Sequence, residues 1–364
     1  MKKKHTGKRL AALTAALTIL LCASGCGSGE QKQEPAGTAS ATTTQAQETQ
    51  APVKVTLPPK TTAPGAEEKK TDPKIGSDIP CTPAMWKATS PSGHEMYMMG
   101  SMHALNDTCS PMPDYVMNAY NECDILAVEC DISDILSSSG AQLKYSDKMT
   151  YPDGETVEDH LSETTWDNLR SYFEYYKVKP EKYEKTSTWA IYSAMQTYTV
   201  EKMGLSAERG LDRFLLESAH KDGKEIYEVE SVDSQLTMLM SFPEELYDMM
   251  LSGYSADSAD ALLEQNIELF KAWKSGDVEW VAANAESDVG LENATPEQKA
   301  MVEDFYKTMY YDRNAHMTKD AEELINGDKK VFYVVGLAHF TGETGMISQL
   351  EKDGYTIERV DKAG

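Results

Sequence analysis

The same short unit occurs twice in this chain. Tyr97-Met98-Met99-Gly100-Ser101-Met102-His103 reads as a strand followed by Gly-x-x-His. Val334-Val335-Gly336-Leu337-Ala338-His339 repeats it 236 residues later. Ligands of open α/β sheets bind beyond the carboxyl ends of the strands. A glycine where the chain leaves a strand permits a sharp turn or a positive φ, which aims a side chain three residues on across the strand end. On neighbouring strands, two such units would bring two imidazoles into one crevice. A carboxylate ends a third apolar strand: Glu129 follows Ile125-Leu126-Ala127-Val128, with Asp131 beyond it. His103, His339 and Glu129 are a plausible three-ligand set for a divalent ion of the Mn, Co or Zn type, with a position left open for water. Such an ion would make that water a nucleophile at neutral pH. Without an ion, one histidine would act as general base while the carboxylate orients it. The structural alternative, a hydrogen-bonded strand-end histidine and a salt-bridged glutamate, loses ground because the unit is repeated. His94, His160, His220 and His316 show no such pattern and read as surface or structural residues.

These residues need strands to hold them. Met85–Thr89 and Glu95–Met99 read as a hairpin about Pro91-Ser92-Gly93, and Pro113–Glu122 as a helix leading into the strand Ile125–Val128. From about Thr156 to Met317, Tyr, Met and Leu recur at three- and four-residue intervals, giving helices at Trp189–Thr199, Gly210–Ala219, Ala259–Trp273 and Phe305–Ile325. The strand Glu225–Val229 interrupts them. Val331–Val335 is a buried strand, followed by a helix over Gly345–Lys352 and a last strand over Thr356–Val360. Strands at both ends and a helical middle predict an α/β fold: a central mixed sheet with an N-terminal hairpin and a large helical insertion or cap.

Composition divides the 364 residues. The first 80 hold 11 Lys/Arg and 7 Asp/Glu, so the remaining 284 carry 24 and 52, a net charge of −28 against −24 for the whole chain. All the aromatic residues lie at or after Trp86. Residues 1–26 have the form of an export signal: Lys2, Lys3, Lys4, Lys8 and Arg9, an apolar run from Leu10 to Leu21, then Ala23-Ser24-Gly25-Cys26. The small residues before Cys26 resemble a lipobox, which predicts lipidation at Cys26 and a place on the outer face of the cell membrane. Residues 27–80, rich in Thr, Ala, Gln, Pro and Lys, lack the apolar surface to offset ordering entropy and read as a tether. Residues 81–364 are the globular domain. Its acidity removes the electrostatic basis of nucleic-acid binding. Four cysteines remain there, Cys81, Cys109, Cys123 and Cys130, allowing three pairings into two disulfides or none. A Gly-x-Ser-x-Gly elbow, a P-loop and a His-Glu-x-x-His motif are all missing from the sequence.

Tyr97–Leu105, Asp124–Ile132 and Val331–Val360 resemble the corresponding stretches of the TraB/GumN family, which includes the Tiki proteins. Tyr151–Ser162, Gly210–Leu236 and the pair Arg313-Asn314 agree with it. The resemblance runs from about residue 84 to 361 and implies an α/β domain in a family with metal-dependent proteases. It also implies roles for particular residues: His103 and His339 as the paired histidines, Glu129 as the strand-end acid, Arg313 as a basic residue facing the cleft, and Glu230 as a further acid. Arg313 would stabilise an oxyanion or hold a substrate carboxylate, unless it is only paired with a helix neighbour such as Asp312 or Asp320. The expected function is a membrane-anchored, extracytoplasmic metal-dependent hydrolase of a peptide or related amide or ester. Its rival is a non-catalytic lipoprotein that binds or sequesters a peptide.

Overall fold

The computed structural model describes residues 74–133, 148–285, 291 and 294–361. The expected signal, Cys26 and the tether as far as residue 73 lie outside the described residues. Short apolar runs bounded by turn residues form the sheet. β1 (Met85–Thr89) and β2 (Glu95–Ser101) make the predicted hairpin. Its turn depends on Gly93, whose φ of +89° only glycine adopts cheaply. β3 (Ile125–Val128), β4 (Glu225–Glu228), β5 (Val331–Gly336) and β6 (Thr356–Arg359) complete six strands in the order β4-β3-β5-β2-β1-β6. β4, β3, β5 and β2 run parallel, while β1 is antiparallel to both β2 and β6. Every residue of β3 and the first five of β5 are buried, as parallel strands covered on both faces require.

β5 lies between β3 and β2, although it comes more than two hundred residues after either in sequence. The second histidine unit therefore falls between the first and Glu129. The register sets Ser101 opposite Gly336 and Val128 opposite Val334, so the three chains leave the sheet at one edge.

Helices cover this frame. α1 (Asp114–Glu122) carries the chain from β2 to β3. α2 (Glu163–Tyr175), α3 (Thr188–Lys202) and α4 (Leu211–Asp222) lead to β4, and α5 (Val232–Ser241) and α6 (Glu244–Leu251) follow it. α7 (Ala259–Ser275), α8 (Val278–Ala285) and α9 (Pro296–Tyr306) precede α10 (Asp312–Ile325). α11 (Leu337–Phe340) and α12 (Met346–Lys352) connect β5 to β6. Two apolar clusters result. One packs about the sheet on Trp273, Phe332, Phe340 and Leu215. The other fills the predicted helical cap with Tyr172, Phe173, Tyr192, Tyr247 and Phe305.

One element departs from expectation. The helix read over Phe305–Ile325 is broken by a π turn at Lys307–Tyr311. One widened turn shifts the apolar stripe by only about one residue, too little to read from apolar spacing. The turn sets Tyr310 beside the ring of His339, with centroids 5.8 Å apart.

Candidate functional site

His103, Glu129, Glu230 and His339 all leave the carboxyl edge of the parallel strands, and Arg313 reaches them from the first turn of α10. All five are nine-tenths or more buried apart from Glu230, which is half-buried. The glycines of the two units hold this arrangement by their size. Neither Gly100 nor Gly336 has a positive φ, so of the two uses expected of these glycines the left-handed conformation is not the one taken. A Cβ on Gly100 would lie 2.4 Å from Leu337 Cδ1 and 2.9 Å from its Cα, so only glycine lets α11 seat against β2. A Cβ on Gly336 would point into the site, 3.2 Å from Glu129 Oε1, 3.6 Å from His339 Cδ2 and 4.0 Å from His103 Nε2. These three groups surround one small space, a cavity of about 30 Å³ also lined by Met102, Trp273 and Leu337. It is roomy enough to admit a water molecule.

Each imidazole is fixed from behind. His103 Nδ1 donates to Asp212 Oδ2 at 2.7 Å. Asp212 lies in the first turn of α4, and Gly210 before it brings that helix against His103: a Cβ there would be 2.3 Å from the His103 carbonyl oxygen. His339 Nδ1 donates to Asn314 Oδ1, also at 2.7 Å. With Nδ1 protonated and held, Nε2 of each ring keeps its lone pair.

The acids are tied together as firmly. The backbone N–H of Gly336 donates to Glu129 Oε1 at 2.7 Å, while Oε2 accepts from Arg313 Nη2 and Gln235 Nε2, both at 3.1 Å. Pairing of β3 with β4 continues past the strands through Glu230 N to Glu129 O, which sets the two glutamates side by side. Arg313 clamps Glu230 with two parallel bonds, Nε to Oε1 at 2.8 Å and Nη2 to Oε2 at 2.7 Å, and gives Nη1 to the Met309 carbonyl in the π turn. Gln235 adds a bond to Glu230 at 2.8 Å.

The charges follow from these contacts. Burial disfavours the His103 imidazolium, but Asp212 and then Glu129 outweigh it and raise the group above the usual histidine range. Burial, reinforced by the Arg313 cation, pushes His339 down to about 4. Glu129 is held below the usual carboxylate range despite burial, chiefly by Arg313 and then His339. Asp212 is lowered likewise, against its burial, by His103. Two neighbouring imidazoles thus titrate far apart, a pattern found where one group gives a proton and another takes it.

The structure brings together all five residues singled out in the sequence. It pairs Arg313 with Glu230 and Glu129 rather than with Asp312 or Asp320; Asp312 takes Lys307 instead. Four of the five guanidinium N–H groups are engaged within the protein, so Arg313 supports the acids rather than reaching for substrate. The sequence reading named Asn314 only as the partner of Arg313 in a motif, with no role, and passed over Asp212 and Gln235 within the stretch Gly210–Leu236. Asn314 stands next to Arg313, but Asp212 lies 109 residues from His103 and belongs to no spaced motif. Of the four other histidines named above, three have side-chain partners: His160 bonds Glu244 and Glu155, His220 bonds Asp131, and His316 bonds the Val229 carbonyl, while His94 is exposed and bonds Ser90 through its backbone.

The fit of a divalent ion depends on the third ligand. Two imidazoles with anchored Nδ1–H and open Nε2 are held as metal-binding histidines are held. Glu129 is not free to join them: both of its oxygens are taken, and the guanidinium on Oε2 would repel a second cation. Among the described residues no group of three or more His, Cys, Asp or Glu is arranged to hold a metal ion. The arrangement present here does not fit a three-ligand metal site. No helix among the described residues is long and apolar enough to cross a membrane.

A sequence model of the TraB/PrgY/gumN family matches residues 84–359. The chain is 28% identical to the Escherichia coli protein named Uncharacterized protein YbaP over 156 residues, 43% of this chain and 56% of that one. It is 22% identical to the human protein named Metalloprotease TIKI1 over 303 residues, 72% of this chain and 59% of that one. The chain thus spans somewhat over half the length of these curated relatives. No solved structure matches.

Proposed function

Since the chain belongs to the TraB/PrgY/gumN family, we propose that it is a hydrolase of peptides or related amides and esters, with His103 as the residue that activates water. The observation that supports this is the convergence of His103 Nε2, the Cδ2 edge of His339 and Glu129 Oε1 on one space that admits a water, with Asp212 behind His103. A water placed there lies within reach of His103 Nε2, which takes its proton as the oxygen attacks the carbonyl carbon. Asp212 stabilises the imidazolium that forms, and the same imidazolium then protonates the leaving group. His339, kept neutral, closes the other side of that space with its Cδ2 edge. Arg313 and Gln235 keep Glu129 ionised and in place.

The reading extends to location. The basic residues at the N-terminus, the apolar run to Leu21 and Ala23-Ser24-Gly25-Cys26 favour an extracytoplasmic protein held to the cell membrane by lipid on Cys26. A metal-dependent version is favoured by one observation, the anchoring of both Nδ1–H groups, and by the name of the human relative. It requires the Arg313–Glu129 contact to open.

The test is turnover of a panel of peptides and aryl esters by the full chain, with and without chelator, beside its metal content. The expected result is chelator-resistant turnover, reduced about 10²–10⁴-fold in His103→Ala. Stoichiometric metal with chelator-sensitive turnover would establish the metal-dependent version instead. Full activity in His103→Ala would overturn both. Retained peptide binding without turnover would leave the sequestering lipoprotein.

A further inference from the structure

Away from the site, two cysteines and a buried lysine meet where the chain enters the domain. Residues 74–83 lie across the loop that follows the first histidine unit and are fastened to it on both sides. Asn106 Nδ2 donates to the Ile75 carbonyl at 3.0 Å, Lys74 pairs with Asp107, and Tyr115 Oη donates to the Pro83 carbonyl at 2.7 Å. Cys81 lies between the fastened residues of one segment and Cys109 between those of the other. Both pack into the sheet's apolar cluster, Cys109 buried and Cys81 partly exposed, and both are free thiols. Each thiol is the largest influence on the other's ionisation, raising Cys81 and lowering Cys109, as side chains in contact do. Beneath them is Lys274, with 1% of its surface exposed; its Nζ donates to the Gly76 carbonyl at 2.7 Å and its backbone carbonyl accepts from Thr82.

We propose that Cys81 and Cys109 are a built site of disulfide formation, a cross-link that fixes the entering segment to the loop beyond His103. The chemistry is exchange with a small-molecule disulfide. Cys81, the more exposed sulfur, takes one half of the oxidant and expels the other half as a thiol. Cys109 then attacks Cys81 Sγ as a thiolate, the Cys81–Cys109 bond forms, and the second half leaves. The pair gives up two electrons and two protons, and one disulfide becomes two thiols. Before the exchange, contact with Cys81 and the nearby Lys274 hold the Cys109 thiol below the ordinary cysteine range against its burial; once Cys81 carries half of the oxidant its S–H is gone, and Lys274 remains beside Cys109 to favour the attacking thiolate.

The fold selects this pairing. Cys123 and Cys130 stand at opposite ends of β3, seven residues apart along extended chain and so roughly 20 Å from each other, far beyond disulfide reach. Cys130 is turned to Gln235. The cross-link would also brace the site from outside. Leu105, four residues before Cys109, exchanges two backbone bonds with Ser206, and Met102 accepts from Leu211 beside Asp212. This goes beyond the hydrolase reading and does not depend on it.

The experiment takes the full chain, oxidised with glutathione disulfide or reduced with dithiothreitol. Alkylation of free thiols, non-reducing peptide mapping and thermal unfolding provide the readouts. Among the four cysteines of residues 81–364, oxidation should protect Cys81 and Cys109 alone, give one peptide joining them, leave Cys123 and Cys130 open to alkylation in denaturant, and raise Tm by about 5–10 °C. Cys81→Ser and Cys109→Ser should each abolish both peptide and shift. Free Cys81 and Cys109 in folded, oxidised wild type would overturn the proposal, as would a bridge to Cys123 or Cys130. Because those results come from the unaltered protein, they stand even if a variant fails to fold.

Discussion

His103 and His339 face one space yet respond oppositely to pH. A base whose folded pKa is raised, as for His103, binds its proton more tightly in the native state. Its contribution to stability is complete below the unfolded value of about 6.5 and fades as the pH climbs through the folded value. His339 has the reverse sign. Held to about 4, it binds its proton less tightly folded than unfolded, so native stability falls as the pH drops from about 6.5 towards 4. The slope of that loss is at most about 1.4 kcal/mol per pH unit. Denaturant unfolding of wild type and His339→Gln across this range should show the wild type losing stability faster on acidification; equal slopes would refute the burial of a neutral His339. Both histidines and Glu129 were legible in the sequence because each follows a strand end, while Arg313 and Glu230 came only with the family resemblance. Asp212 was not legible, since its role comes from the approach of α4 to the His103 backbone, a contact between residues far apart in the chain.

At the scale of elements, β2 and α11 meet through the missing side chain of Gly100. Gly100→Ala would drive a methyl group into Leu337, whose Cβ and Cα both lie within 3 Å of it, so the side chain alone cannot give way. We expect a loss of about 1–3 kcal/mol in urea unfolding, only partly recovered in combination with Leu337→Ala. A neutral result would mean that α11 is free to shift, and with it His339. The strands were the most legible part of the fold. β1 and β3 have the bounds read from the sequence, and β5 differs by one residue, because compact apolar runs between turn residues have few other solutions. Their order was not legible. Nothing in the local sequence of Val331–Gly336 says that it belongs between β3 and β2, and the π turn before α10 shifts the helical spacing too little to show.

Over the whole molecule, the surplus of acids in residues 81–364 sets a self-repulsion that salt should relieve. Between about 10 mM and 1 M ionic strength the Debye length shrinks from roughly 30 Å to 3 Å. Tm at neutral pH should therefore rise with sodium chloride before any effect specific to the anion sets in. A Tm that falls would show that pairs such as Lys87–Glu95 and Arg213–Glu217 outweigh the general repulsion. The buried clamp of Arg313 on Glu230 and Glu129, shielded from solvent, should be indifferent to the added ions.

The central place of β5 bears on the order in which a chain is made. A protein grows from its N-terminus, and here the strand that joins β3 to β2 arrives almost last. Until it does, the hairpin of β1 and β2 and the pair of β3 and β4 have no strand to connect them, and His103 faces a gap rather than a partner. The site is therefore unassembled in the unfinished polypeptide. It is completed in one late step, so the ribosome and any factors that handle the nascent chain meet its histidines apart.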